Sequence, residues 1–321
     1  MNAPRAPKIG ALLTAMLTPF DARGAVDLRE AARLAKWLVK QGNDGLVVCG
    51  TTGESPALSD DEKVALFRAT KEAVGESAAI VAGTGGNNTS HSVELTERAA
   101  QAGADAILAV VPYYSKPPQD GMLRHFGELA EATDLPLIVY NIPGRTGANM
   151  LPATLLELAA RHPTIAGVKE SSGDCAQFTE ILRDRPDGFR FWCGDDYMYL
   201  PSLALGGDGL ISVAAHLCGR ELQVMRETFI DGDVKRAGQI HRDLSPLFAA
   251  LFASTSPMPV KWAMNRLGFA LGPCRSPLGT LPDANAALLE PLLAPYLERA
   301  AGIASERPAA ATTSPAELAA R

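Results

Sequence analysis

From residue 10 to about residue 215, short apolar runs alternate with stretches whose apolar residues recur at helical spacing. The runs are GALLTAML (10–17), GLVVCG (45–50), AAIVAGTG (78–85), AILAVVP (106–112), PLIVYNI (136–142), IAGVKE (165–170), FRFWCGD (189–195) and DGLISV (208–213). Each has the length of a strand and is apolar at successive positions, as in a parallel sheet covered on both faces. Between them, LREAARLAKWLVKQG (28–42) reads as a helix stopped at Gly42. SDDEKVALFRATKEAVG (59–75) reads as a helix capped by Ser59, with acids in its first turn. Eight strand–helix units predict a (β/α)8 TIM barrel. An open, doubly wound sheet is the alternative, weakened because no GxGxxG follows the first strand.

Past residue 220 the strand signal stops, and ELQVMRETFIDGD, VKRAGQIHRDLSPLFAALF, PVKWAMNRLG and ANAALLEPLLAPYLERA (284–300) all read as helices. The predicted division is a barrel over 1–220, an appended C-terminal helical region over 221–300 that caps or oligomerises, and a disordered tail over 301–321. The tail is assigned on its Ala/Pro/Ser/Thr-rich composition.

Charge and composition narrow the function classes. A net charge of −6 with no basic stripe argues against nucleic acid as a partner. No apolar run approaches the roughly 18 residues of a membrane span. IGALLTAML, preceded by Arg5 and Lys8, imitates a signal peptide, but TPFD follows it in place of a small-residue cleavage site. It reads as the first strand. The five cysteines, an odd number without C-x-x-C spacing, fit a reducing cytoplasm. The five histidines include no H-x-x-x-H pair, so no metal is expected.

In a parallel barrel the chemistry gathers at the C-terminal ends of the strands. Polar residues interrupt the apolar runs there: GTTGE (50–54), GTGGNNTS (83–90), VPYYSKPP (111–118), YNIPGRTG (140–147), Lys169 and GDD (194–196). Alternation puts Lys169 on one face with Gly167 and Ile165, and Val168 and Glu170 on the other. With the odd-numbered face inside, the amine projects into the top of an apolar tube and Gly167 leaves room for its stem. Such a site favours an uncharged amine, the form that attacks a ketone. From the strand pattern alone, a lysine paired at the rim with Glu170 or Asp195 reads equally well. Tyr140 is either a core aromatic with one hydrogen bond or a phenol that exchanges protons beside an imine. Arg145, in a Pro-Gly-flanked loop, suits a carboxylate ligand or an ordinary surface position. GTTGE offers hydroxyls and N–H groups to a carboxylate, or is a plain turn. GTGGNNTS lacks the GK[ST] of a P-loop, and Asp195 and Asp196 lack a third metal ligand.

Together GTTGES, PYYSKPP, YNIPGRTG, GVKESSGD, CGDD and GLISV fall in order at successive strand ends, and the chain from about residue 10 to about residue 295 resembles the dihydrodipicolinate synthase / N-acetylneuraminate lyase family of class I aldolase-type barrels. The resemblance implies that Lys169 forms a Schiff base with pyruvate and that Tyr140 passes protons beside the imine. Thr51 and Tyr114 would complete a proton relay, Tyr114 being lent by a neighbouring subunit. Thr52 and the backbone of Ile211 would hold pyruvate. Arg145 would hold the carboxylate of aspartate semialdehyde, an arginine that, with the doubled tyrosine, marks the synthases of the lysine and diaminopimelate pathway. The resemblance further implies a homotetramer built from tight dimers, with no cofactor beyond the covalent pyruvate imine. Feedback-inhibited members carry histidine and glutamate where this chain has Lys63 and His91, which argues against sensitivity to lysine. Ser55, Asn87 and Tyr113 remain compatible with an interface pocket. Two rivals stand beside this reading. One is another pyruvate-imine aldolase or dehydratase, acting on 2-keto-3-deoxy sugar acids through the same Lys169 and Tyr140. The other is a non-catalytic ligand-binding barrel in which Lys169 merely pairs with an acid.

Overall fold

The computed structural model describes residues 9–301, so Arg5, Lys8 and all but the first residue of the predicted tail lie outside the described residues. Strands β1 (Leu12–Ala15), β2 (Gly45–Val48), β3 (Ala79–Gly83), β4 (Ala106–Val110), β5 (Leu137–Asn141), β6 (Ile165–Glu170), β7 (Arg190–Cys193) and β8 (Gly209–Ser212) pair in sequence order, and β8 returns to β1. The predicted (β/α)8 barrel is the fold.

Strand alternation fills two cores at once. Leu13, Ala15, Val47, Val81, Leu108, Ile138, Tyr140, Trp192 and Ile211 pack together inside the tube. Their neighbours Leu12, Leu46, Ile80, Ile107, Val139, Val168 and Phe191 face outward against helix residues such as Leu34, Phe67, Leu95, Phe126 and Ile181. In β6 the alternation breaks once. Leu137 pairs with Ile165 but Ile138 pairs with Gly167, so Ala166 is an extra residue at a bulge. Ile165 therefore joins the outer core, whereas Lys169 pairs with the inward residues Tyr140 and Trp192. The predicted shared face of Lys169 and Gly167 stands; Ile165 does not belong to it.

Local chemistry sets the helix ends. Ser59 and Glu62 form a reciprocal capping box at the start of the helix Asp60–Val74. The helix Leu28–Lys40 ends two residues before Gly42, whose φ of +90° gives the left-handed exit that glycine tolerates. At the entrance of the barrel three aspartates repeat one device. Asp44, Asp105 and Asp208 each precede an even-numbered strand and accept N–H groups at the start of the odd-numbered strand beside it, from Ala11 and Leu12, Ile80, and Phe191. All three are half-buried, and Lys71 and Arg185 neutralise Asp105 and Asp208.

Beyond β8 the helix Ala215–Ile230 packs on β1, so the predicted boundary at residue 220 falls inside the helix of the eighth unit. The helix predicted over 284–300 is split into Asp283–Leu289, a 3-10 turn Glu290–Leu292 and Ala294–Arg299. Pro291 and Pro295 supply no backbone N–H and crowd the preceding turn.

Candidate active site

Lys169 is buried, 6% exposed, and its ammonium nitrogen lies 4.1 Å from the centroid of the Tyr140 ring. Among the described residues no carboxylate comes within ion-pair distance of it: the salt bridges of Asp and Glu all go elsewhere, and Glu170 faces away from the tube. Room for the lysine stem comes from Gly194 rather than Gly167. A Cβ at Gly194 would stand 2.9 Å from Lys169 Cε and 1.9 Å from Ser171 Oγ, whereas one at Gly167 would strike the Trp192 ring at 2.8 Å. The glycine of CGDD is thus the residue that admits the amine.

The threonine turn after β2 is held by groups far away in sequence. Glu54, in the left-handed region at φ +58°, donates its N–H to Thr51 O, and Thr18 Oγ1 donates to Gly53 O. The Glu54 carboxylate accepts from Lys261 Nζ at 2.7 Å and from the Arg275 N–H at 2.8 Å, and both side chains of the Glu54–Lys261 pair are 2% exposed. Burial pulls the Lys261 pKa below its ordinary value, opposed by Glu54. The same ammonium sits 4.1 Å from the Phe20 ring centroid. Sequence reasoning missed this brace; its one local signal is a lysine between Val260 and Ala263 on the buried face of the helix Met258–Arg266.

A cavity of about 260 Å³ opens at the top of the tube, and its wall includes Thr51, Tyr140, Arg145, Ser55, Lys63, Asn87, His91 and Tyr113. Thr51 is half-buried and Thr52 buried, while Ile211 packs in the inner core beside Tyr140. Arg145 is exposed and has no ion pair or side-chain hydrogen bond among the described residues. Tyr114 stands apart from the others, 90% exposed on a backbone with φ +72°. At the far wall one carboxylate serves two bases: Asp60 accepts from His91 Nε2 at 2.7 Å and from Lys63 Nζ at 3.5 Å. Burial opposes ionisation of Asp60, yet these bonds hold its pKa below the usual value.

Two further buried groups secure β8. Asp196 accepts from Ser212 Oγ at 2.5 Å and from the Ala214 N–H at 3.1 Å, and burial pushes its pKa up to about 6. His216 Nε2 accepts from the Leu17 N–H while Nδ1 faces Val213 O, which fixes the neutral tautomer with its proton on Nδ1. Burial pushes the His216 pKa down to about 4. Asp195 bonds the Tyr197 N–H, and among the described residues no cluster of three metal-ligating side chains occurs. Among those residues, too, no helix is long and apolar enough to cross a membrane.

The sequence model of the dihydrodipicolinate synthetase family matches residues 8–294. The 4-hydroxy-tetrahydrodipicolinate synthase of Moorella thermoacetica is 53% identical over 269 residues, covering 84% of this chain and 92% of its own. That of Symbiobacterium thermophilum is 49% identical over 288 residues, covering 90% and 98%. The crystal structure of the Cyanidioschyzon merolae dihydrodipicolinate synthase with lysine bound matches with a TM-score of 0.88 at 43% identity, over 92% of this chain and 98% of that one.

Proposed function

The chain belongs to the dihydrodipicolinate synthetase family, and from that premise we propose how its residues condense pyruvate with L-aspartate 4-semialdehyde. The product is 4-hydroxy-tetrahydrodipicolinate, in lysine and diaminopimelate biosynthesis. The uncharged Lys169 amine adds to the ketone of pyruvate, and loss of water leaves a protonated imine. That imine is the electron sink, so a methyl proton departs and an enamine forms. The enamine carbon attacks the aldehyde, whose oxygen takes up a proton. The amine of the same substrate then attacks the imine carbon, closes the ring and expels Lys169. Tyr140, Thr51 and Tyr114 move the protons. Thr52 and Ile211 hold the pyruvate carboxylate, and Arg145 holds that of the aldehyde. The imine itself supplies the electron sink, so this sequence calls for no metal or organic cofactor.

The observation that carries this reading is the unpaired Lys169 amine beside the Tyr140 ring in an apolar tube. A ligand-binding barrel would instead need the lysine paired with an acid, and none stands near it among the described residues. Borohydride reduction in the presence of pyruvate should add a pyruvate-derived mass to Lys169. An unmodified Lys169 would sink the mechanism. Turnover with aspartate semialdehyde but not with 2-keto-3-deoxy sugar acids separates the synthase from its nearest rival.

The exposed, left-handed Tyr114 supports a tetramer of tight dimers in which that ring completes the neighbour's relay. The free cysteines accord with a cytoplasmic enzyme. The cavity wall around Ser55, Asn87, His91 and Tyr113 is proposed as an interface pocket that does not take lysine. Lys63 and His91 already occupy Asp60, so a further cation finds no carboxylate to pair with there. Millimolar lysine should leave the rate unchanged; inhibition in a steady-state assay would overturn this point.

A further inference from the structure

We propose that Glu170 is a positioning residue for the acceptor substrate, anchoring the loop that carries Arg145; the proposal rests on the reading of Arg145 given above. Glu170 ends β6, faces away from the tube and is fully buried. No cation partners it among the described residues. Its oxygens accept only from neutral donors: Asn141 Nδ2 at 3.0 and 3.3 Å, the Ser172 N–H at 2.7 Å and Gln177 Nε2 at 3.1 Å. A buried carboxylate so surrounded is costly to keep and is retained where its acceptor capacity is needed.

That need is visible in Asn141, which ends β5 directly after Tyr140. Its amide nitrogen also donates to Asn149 Oδ1 at 2.7 Å, and its oxygen accepts the Met150 N–H at 3.0 Å. One side chain therefore clamps both feet of the segment 142–148, within which Arg145 lies. Glu170 sets which way that amide points: two acceptors on the nitrogen side leave the oxygen for Met150. Gln177 closes the ring, donating to Glu170 and accepting from Asn149 Nδ2 at 2.8 Å. Gln119 extends it, donating to Asn149 O and accepting the Leu151 N–H. Arg145 itself has no side-chain partner among the described residues, so the loop backbone alone decides where its guanidinium starts from. A glutamine at position 170 would turn an NH₂ group towards donors and offer one acceptor oxygen in place of two. Lys169, on the opposite face of β6, takes no part in this network.

The test is a cycle of Glu170→Gln, Arg145→Ala and the double variant, read by pyruvate trapping and by KM for each substrate. Glu170→Gln should trap pyruvate on Lys169 as the unaltered enzyme does, while KM for aspartate semialdehyde rises ~10-fold. In the double variant the rise should be no larger than for Arg145→Ala alone. Loss of pyruvate trapping in parallel, or a rise that adds to that of Arg145→Ala, would overturn the proposal. If Arg145→Ala raises the acceptor KM and Glu170→Gln does not, this proposal alone fails. If Arg145→Ala leaves that KM unchanged, the reading of Arg145 fails and takes the proposal with it. Asn149→Ala, which cuts the link at the half-buried loop foot without altering β6, runs through the same cycle should Glu170→Gln not fold, with the same outcomes deciding.

Discussion

The two ends of the barrel use carboxylates in opposite ways. At the entrance, Asp44, Asp105 and Asp208 repeat one arrangement, half-buried, each on a backbone N–H of the adjacent strand. At the exit, Glu54, Glu170 and Asp196 are all buried, and no two share a kind of partner: an ammonium, side-chain amides, and a hydroxyl with a backbone N–H. The entrance set holds strands in register and touches solvent, so each member can be lost cheaply. The exit set holds loops that carry the proposed chemistry, at the larger cost of burying charge. Stability lies at one end and geometry at the other, as conservation of function in such barrels demands of any architecture whose site is built on loops.

The sharpest way to break this contrast is Lys261→Met. It leaves Glu54 charged and dry, so denaturant unfolding should show a loss of about 3–5 kcal/mol, with kcat falling as the threonine turn shifts. Pairing it with Glu54→Gln should recover most of the stability. No recovery would mean that the brace is packing rather than charge.

Next in size is the acid response at the exit. His216 has a folded pKa near 4, below the ~6.5 of an unfolded histidine, so the unfolded chain binds the proton first and stability is lost as pH falls from 6.5 towards 4. Asp196 runs the other way. Its folded pKa near 6 exceeds the unfolded ~3.9, so its contribution favours the native state at low pH and is lost as pH rises through 6. Asp196→Asn removes that counterweight, and the fall in unfolding free energy between pH 6.5 and 4 should steepen by about 3 kcal/mol. An unchanged slope would place Asp196 with the entrance aspartates.

The smallest effect belongs to the entrance. Asp105→Ala frees the Ile80 N–H at a solvent edge and should cost about 1 kcal/mol, with kinetic constants within about twofold. A larger kinetic loss would erase the distinction between the two ends.

The sequence carried the barrel in the alternation of apolar runs and helices, because strand period and cap chemistry are local. Lys169 was legible for the same reason, as a polar residue ending an apolar strand. What held it open was the surroundings. The bulge at Ala166 depends on pairing with β5, and the space for the lysine stem depends on Gly194, a residue of the next strand's loop. The brace on Glu54 and the amide ring on Glu170 join residues that no window along the chain contains. Pro291 and Pro295 were readable as breaks, and helical periodicity outweighed them wrongly.

The Glu54–Lys261 contact spans 207 positions of sequence. While the chain is being made, the threonine turn emerges early and its carboxylate stays hydrated and without a counterion until almost the whole barrel has left the ribosome. Long-range closures of this kind are late events in folding. The chain therefore acquires its barrel first and its competence to react last, so that a partly synthesised copy holds the lysine without the turn set to work beside it.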